Sequence, residues 1–281
     1  SPTRRVGGEP VKGFERHRHI ARLFSLDKAV TEDELSAFVT RVQKIDPAAV
    51  FTVEYKFDGL TMCLTYEDGR FVRATTRGNG TEGEDVTAQA LTVRSFPLAI
   101  PYRGTLEVRG EAVMRLPVLE EYNRTHPDEP LKNARNAAAG AIRNLDPKVT
   151  ASRRPEIIFY DINYMSDAPV SSQQEAVSRL REWGFQTFPY FRVCGSFDEV
   201  RAAVDEIEVG RKSLDVLTDG AVIKTDSEAT RRLMGYTDKF PRWAIAYKFE
   251  AEEAEATVER VIWQVGRTGK LTPLAFITPV E

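Results

Sequence analysis

The chain has 281 residues, 42% hydrophobic and 29% charged, which excludes an intrinsically disordered polymer and leaves length for a sizeable core. No apolar run approaches the length of a membrane span, and the net charge of −3 is less basic than a stand-alone DNA-binding domain usually carries. Two cysteines, Cys63 and Cys194, lie far apart without CxxC spacing, which argues against a zinc site or a disulfide framework and suits a reducing cytoplasm.

In chain order, residues 1–24 read as an arm, locally basic through Arg4, Arg5, Lys12, Arg16, Arg18 and Arg22. The chain starts at Ser1-Pro2-Thr3 without an initiator Met or a signal peptide, as a fragment of a longer protein would. Thr31 and Glu34 form a capping box, followed by Leu35, Phe38, Val39 and Val42 at helical spacing, and Asp46-Pro47 closes that helix. Residues 51–57 alternate, so Phe51, Val53, Tyr55 and Phe57 share one face while Thr52, Glu54, Lys56 and, by continuation, Asp58 share the other. Strands at 60–67 and 71–76 are joined by the turn dipeptide Asp68-Gly69. Residues 77–80 break the sheet, and a second capping box, Thr81 with Glu84, predicts a helix through about Leu91. Strands follow over 106–114, 156–164, 218–224 and 243–249, and helices over 136–144, 172–183 and 196–208. A last strand begins at 258–264, with a turn at 266–269. Hairpins without a regular βαβ rhythm predict an α+β fold of mostly antiparallel sheets flanked by helices.

Several strands carry charge where an apolar residue would pack. Glu54, Lys56 and Asp58 share a face, as do Glu107, Arg109 and Glu111. Lys224 ends an apolar strand, and Lys248 follows Ala244 and Ala246 on a face with room for a ligand. An unpaired buried charge is costly, so these lysines reach water or meet an anion. A lysine nucleophile must shed its proton from a free pKa of ~10.4, which neighbouring cations and partial desolvation favour. The same cations would neutralise a phosphate under attack, and Glu54 and Glu111 could hold ribose hydroxyls or a hydrated Mg²⁺. The Lys56-Phe57-Asp58-Gly59 element alone is equally compatible with turn chemistry, with Gly59 letting the chain turn away. The glycine loop at 77–87 suits close backbone approach to an anion. Arg135 and Arg143, eight residues apart on an Ala-rich segment, would lie within roughly a quarter turn and could grip a phosphate backbone.

The ensemble resembles the adenylation domain of bacterial NAD-dependent DNA ligases. Beyond Lys56-x-Asp58-Gly59, the resemblance runs in order through TRRVGG at 3–8, FSLDKA at 24–29, RGNGTEGEDVT at 77–87 and LEVRGEAV at 106–113. It continues through NARNAAAGAIRNLDP at 133–147, DGAVIK at 219–224, PRWAIAYKF at 241–249 and QVGRTGKLTP at 264–273. The chain departs from the usual pattern at Phe57, where a small aliphatic is usual, at Asn79 for Asp, and at Ala134 for Pro.

The resemblance implies a nucleotidyltransferase (ATP-grasp-like) core of the covalent ligases, working on NAD with Mg²⁺. Lys56 would be the nucleophile that becomes lysyl-AMP, with Asp58 in its motif and Asp219 in the later strand motif. Ser25, Leu26 and Glu54 would hold the adenine, Arg77 and Glu111 the nucleotide, and Lys224 and Lys248 the phosphates. Arg135, Arg143 and Arg211 would serve DNA and the later chemistry. It also implies residues 1–260 as the adenylation domain and 261–281 as the start of an OB fold. The N-terminal nicotinamide-binding subdomain and the C-terminal zinc, helix-hairpin-helix and BRCT modules would lie outside this sequence, and zinc only in the absent module. The chain should then bind AMP and the adenosine half of NAD, react poorly with NAD alone, and meet nicked duplex DNA through the full-length, cytoplasmic, monomeric enzyme. The rivals are an ATP- or GTP-dependent nucleotidyltransferase of the RNA ligase or capping type, and a non-catalytic nucleotide-binding module.

Overall fold

The computed structural model describes residues 13–249 and 258–278. Arg4, Arg5, Lys12 and the 3–8 motif lie outside the described residues. The chain divides into two compact units, Ser1–Phe249 and Glu250–Glu281.

The first unit begins with β1 (Arg16–Arg18), β2 (Lys28–Ala29), α1 (Glu32–Ile45), β3 (Phe51–Phe57), β4 (Leu60–Glu67), β5 (Arg70–Thr76), β6 (Glu82–Glu84) and α2 (Thr87–Ala90). It continues with β7 (Leu106–Val113), α3 (Leu116–Thr125), α4 (Ala134–Ile142), α5 (Pro147–Arg153), β8 (Glu156–Met165), α6 (Gln173–Glu182) and β9 (Arg192–Cys194). It ends with α7 (Phe197–Gly210), β10 (Thr218–Thr225), α8 (Glu228–Met234) and β11 (Ala244–Tyr247). The second unit is the antiparallel hairpin β12 (Val258–Val265) and β13 (Leu271–Ile277). Among the described residues, no helix is long and apolar enough to cross a membrane.

Two sheets organise the first unit. One is five-stranded, in the order β2-β11-β10-β3-β9, and the other four-stranded, in the order β5-β4-β7-β8. Their pairings are antiparallel except for the short β11–β2 contact, so the α+β expectation holds. Period-2 alternation gives each sheet one apolar face. Phe51, Val53, Tyr55 and Phe57 of β3 join Ala221, Ile223 and Ile245 in one core, covered by α1 and α7. Met62, Leu64 and Tyr66 of β4 join Leu106 and Val108 in the other. The chain passes from the first sheet to the second in the step from β3 through Asp58-Gly59 into β4. The polar faces of both strands can therefore line one cleft.

Local chemistry explains the helices. In α1 the Thr31 hydroxyl accepts the Glu34 N–H at 3.2 Å, three acids occupy the first turn, and Leu35, Phe38, Val39 and Val42 form the buried stripe. The helix expected from 136 begins at Ala134, because Asn133 caps it by accepting the Asn136 N–H at 2.8 Å.

The second capping box does not form. Glu82–Glu84 is instead β6, paired with Arg16–Arg18 of the arm, and Asn79 accepts the N–H groups of Thr81 and Glu82. Strand pairing over a long sequence separation overrides the local signal. Only the short α2 remains of that helix, entered from Asp85, whose carboxylate accepts the Thr87 N–H.

Candidate active site

The polar faces of the two sheets enclose a cavity of about 500 Å³, a size suited to a small molecule. From the five-stranded sheet come Glu54 and Lys56 on β3 and Val222 and Lys224 on β10, with Lys248 just beyond β11. From the four-stranded sheet come Thr61 on β4, Arg109 and Glu111 on β7, and Tyr160 and Asp161 on β8. The arm adds Arg22, Phe24, Ser25 and Leu26, and the glycine loop adds Arg77, whose guanidinium donates to the Ser25 hydroxyl at 2.7 Å.

Backbone register sets these positions. Lys56 stands opposite Gly220, and Glu54 opposite Val222. A Cβ on Gly220 would lie 2.2 Å from the Tyr247 carbonyl oxygen, so only glycine allows β10 to pass there. Gly59 is fixed the same way, since its Cβ would meet the Ala112 carbonyl oxygen at 2.0 Å. The sequence suggested that Gly59 frees the turn, but its φ is not in the left-handed region, and close approach to β7 is the reason.

Two clusters divide the charge. Asp219 accepts from Lys56 Nζ at 3.3 Å and from Lys248 Nζ at 2.6 Å. Burial pushes the Asp219 carboxyl up, but the bond from Lys248 and the charge of Lys56 outweigh it and hold it below the usual range. Burial lowers Lys248; the Asp219 bond opposes this and the Lys56 charge adds to it. One carboxylate thus serves two ammonium groups, leaving excess positive charge for an anion. In the second cluster, Lys224 Nζ lies 3.7 Å from Glu54 and 3.5 Å from Asp161.

Glu54 is raised by burial despite Lys224. Glu111 accepts from the Thr61 hydroxyl at 3.1 Å, and burial raises it to about 7 against the pull of Arg109. The nearby Arg109 guanidinium lies over the Tyr160 ring at 5.8 Å.

Of the residues picked out from sequence, Ser25, Leu26, Glu54, Lys56, Arg77, Glu111, Arg135, Lys224 and Lys248 line the cavity. Asp58, Arg143 and Arg211 do not. Asp58 pairs with Arg135 at 3.4 Å, Arg143 pairs with Glu84 at 2.8 Å, and Arg211 lies over the Phe249 ring at 4.7 Å. Arg135 and Arg143 are therefore held by separate acids. Sequence reasoning missed Asp161, although it interrupts the apolar residues Ile157, Ile158, Phe159 and Ile162 of β8. It also missed a wall in which Phe24 stacks on Tyr236 at 4.6 Å and Arg231 lies over Trp243 at 4.1 Å.

Two facing sheets thus gather three lysines, Lys56, Lys224 and Lys248, around one cleft. A family model described as the NAD-dependent DNA ligase adenylation domain matches residues 11–252. The chain belongs to that family. It is 50% identical to the DNA ligase of Alkaliphilus metalliredigens over 284 residues and to that of Finegoldia magna over 293, covering all of this chain in both cases. It spans 43% and 44% of those proteins' lengths. A solved archaeal ATP-dependent RNA ligase is similar at a TM-score of 0.44 and 14% identity, covering 82% of this chain and 48% of that one.

Proposed function

We propose that this chain is the adenylate-accepting core of a DNA ligase that uses NAD, with Lys56 as its nucleophile. The observation that carries this is the Lys56–Asp219–Lys248 bridge, which fixes the nucleophile's amine beside a second cation at the cavity wall. The uncharged Lys56 amine attacks the adenylyl phosphorus of NAD. The N–P bond forms as the bond to the nicotinamide mononucleotide phosphate breaks. That phosphate leaves with the electron pair, and the amine's proton passes to solvent. Asp219 orients the amine, while Lys248 and Lys224 offset phosphate charge. Ser25, Leu26 and Glu54 serve the adenine, and Arg77 and Glu111 the sugar and nucleotide.

In the complete ligase, AMP then moves to the 5′-phosphate of nicked duplex DNA, and the 3′-hydroxyl displaces it. Arg135, Arg143 and Arg211 serve those steps. The same reading makes residues 1–260 the adenylation domain and 261–281 the opening of an OB-type module. The family also implies Mg²⁺. Among the described residues, neither cluster of three potential metal ligands lines the cavity, and Glu54 and Asp219 already face cations. A protein-only Mg²⁺ site does not fit there, and no step above depends on one.

The test is intact-mass analysis after incubation with NAD or, separately, ATP, following a check for AMP already bound. An adduct from NAD that vanishes in Lys56→Ala supports the reading. An adduct from ATP alone would move the chain to the ATP-dependent class.

A further inference from the structure

The pocket-bearing face of the four-stranded sheet continues beneath the arm, where three unlike ligating side chains meet. His19, Cys63 and Glu107 each offer one ligand atom, and these atoms lie within 4.8 Å of one another. Cys63 on β4 stands opposite Arg109 on β7, so Glu107, two residues away, is its diagonal neighbour on the same face. The arm brings His19 over both.

The three side chains are held differently. His19 Nε2 lies 2.9 Å from the Arg77 carbonyl oxygen, which can only accept, so Nε2 is the donor there, while Nδ1 lies 3.5 Å from the Thr75 hydroxyl. Metal-binding histidines are commonly oriented by this kind of bond on the far nitrogen. Glu107 is 1% exposed; its Oε2 accepts the Ile20 N–H at 2.9 Å, while Oε1 is buried and met by no N–H or O–H donor among the described residues. The Cys63 thiol is its side-chain hydrogen-bond neighbour. Cys63 is 1% exposed as well, and its sulfur belongs to the same cluster.

We propose that His19, Cys63 and Glu107 bind one borderline divalent cation of the Zn²⁺ type, clamping the arm to the sheet. Sulfur, imidazole nitrogen and carboxylate oxygen together form a ligand set that Zn²⁺ accepts, with a fourth position left for water. The charges close: one thiolate and one carboxylate balance the dication, leaving a neutral buried centre. On binding, the sulfur–metal bond forms as the S–H bond breaks, and the proton leaves to solvent without any redox change. The half-exposed His19 gives an entry path. None of the three residues lines the nucleotide cavity, yet Arg22, Phe24 and Ser25, which do, follow on the same arm. The proposal stands whether or not Lys56 accepts AMP.

The test is titration of the metal-free chain with Co²⁺ as spectroscopic probe, then with Zn²⁺. Binding should saturate at about one equivalent with a thiolate-to-cobalt charge-transfer band. The band should vanish in Cys63→Ser and persist in Cys194→Ser, and Zn²⁺ should raise the melting temperature. If Cys63→Ser does not fold, the wild-type chain decides the matter by releasing about one proton per metal bound. Failure to bind a stoichiometric metal, a missing thiolate band, a band that survives in Cys63→Ser, or metal uptake without proton release would each overturn the proposal.

Discussion

Glu111→Gln should make the protein more stable near and above neutral pH while weakening nucleotide binding. Burial lifts the Glu111 carboxyl from 4.5 to about 7, so between those values the folded chain keeps a proton that the unfolded chain has released. Stability from this group is greatest below about pH 4.5 and falls as pH rises to about 7. At ~1.36 kcal/mol per pKa unit the full cost approaches about 3 kcal/mol, and residual exposure brings it to about 2–3 kcal/mol. Gln reproduces the protonated form and still accepts from Thr61, so it escapes the penalty. Urea unfolding should therefore find the variant about 2–3 kcal/mol more stable at pH 8, with the gap shrinking below about 1 kcal/mol at pH 5. Calorimetric titration with AMP should show weaker binding by the same variant. A variant no more stable than wild type at pH 8, or a gap independent of pH, would refute the reasoning.

Other expectations follow from single contacts. Asp219→Ala should slow formation of the AMP adduct by about a hundredfold in single-turnover assays, because Lys56 loses its orienting partner, and Asp219→Glu should recover part of the loss. Gly59→Ala should cost about 1–3 kcal/mol in urea unfolding, since its Cβ would press on the Ala112 carbonyl. Arg143→Ala should leave AMP affinity unchanged by calorimetry, because Arg143 pairs with Glu84 outside the cavity.

Much of the site was legible because strand alternation is a local property. The period-2 pattern of residues 51–57 put Glu54 and Lys56 on one face, and charges in apolar strands marked Lys224 and Glu111. What was not legible depended on long-range pairing. Thr81 and Glu84 have the letters of a capping box, yet the arm strand at Arg16–Arg18 draws that segment into a sheet. Asp219 sat in a motif, but its role as the bridge between two lysines appears only when β10 lies beside β3. The convergence of His19, Cys63 and Glu107 has no spacing signature, because an arm, a hairpin strand and a neighbouring strand each supply one residue. Asp161 was readable by the rule that flagged Lys224, since it stands as a charge beside Ile157, Ile158, Phe159 and Ile162.

The most direct test of the account is peptide mapping of the chain after reaction with NAD to completion. The account predicts a single AMP adduct, on Lys56, accompanied by an equal amount of nicotinamide mononucleotide and absent from Lys56→Ala. An adduct on another lysine, or labelling that persists in Lys56→Ala, would contradict it.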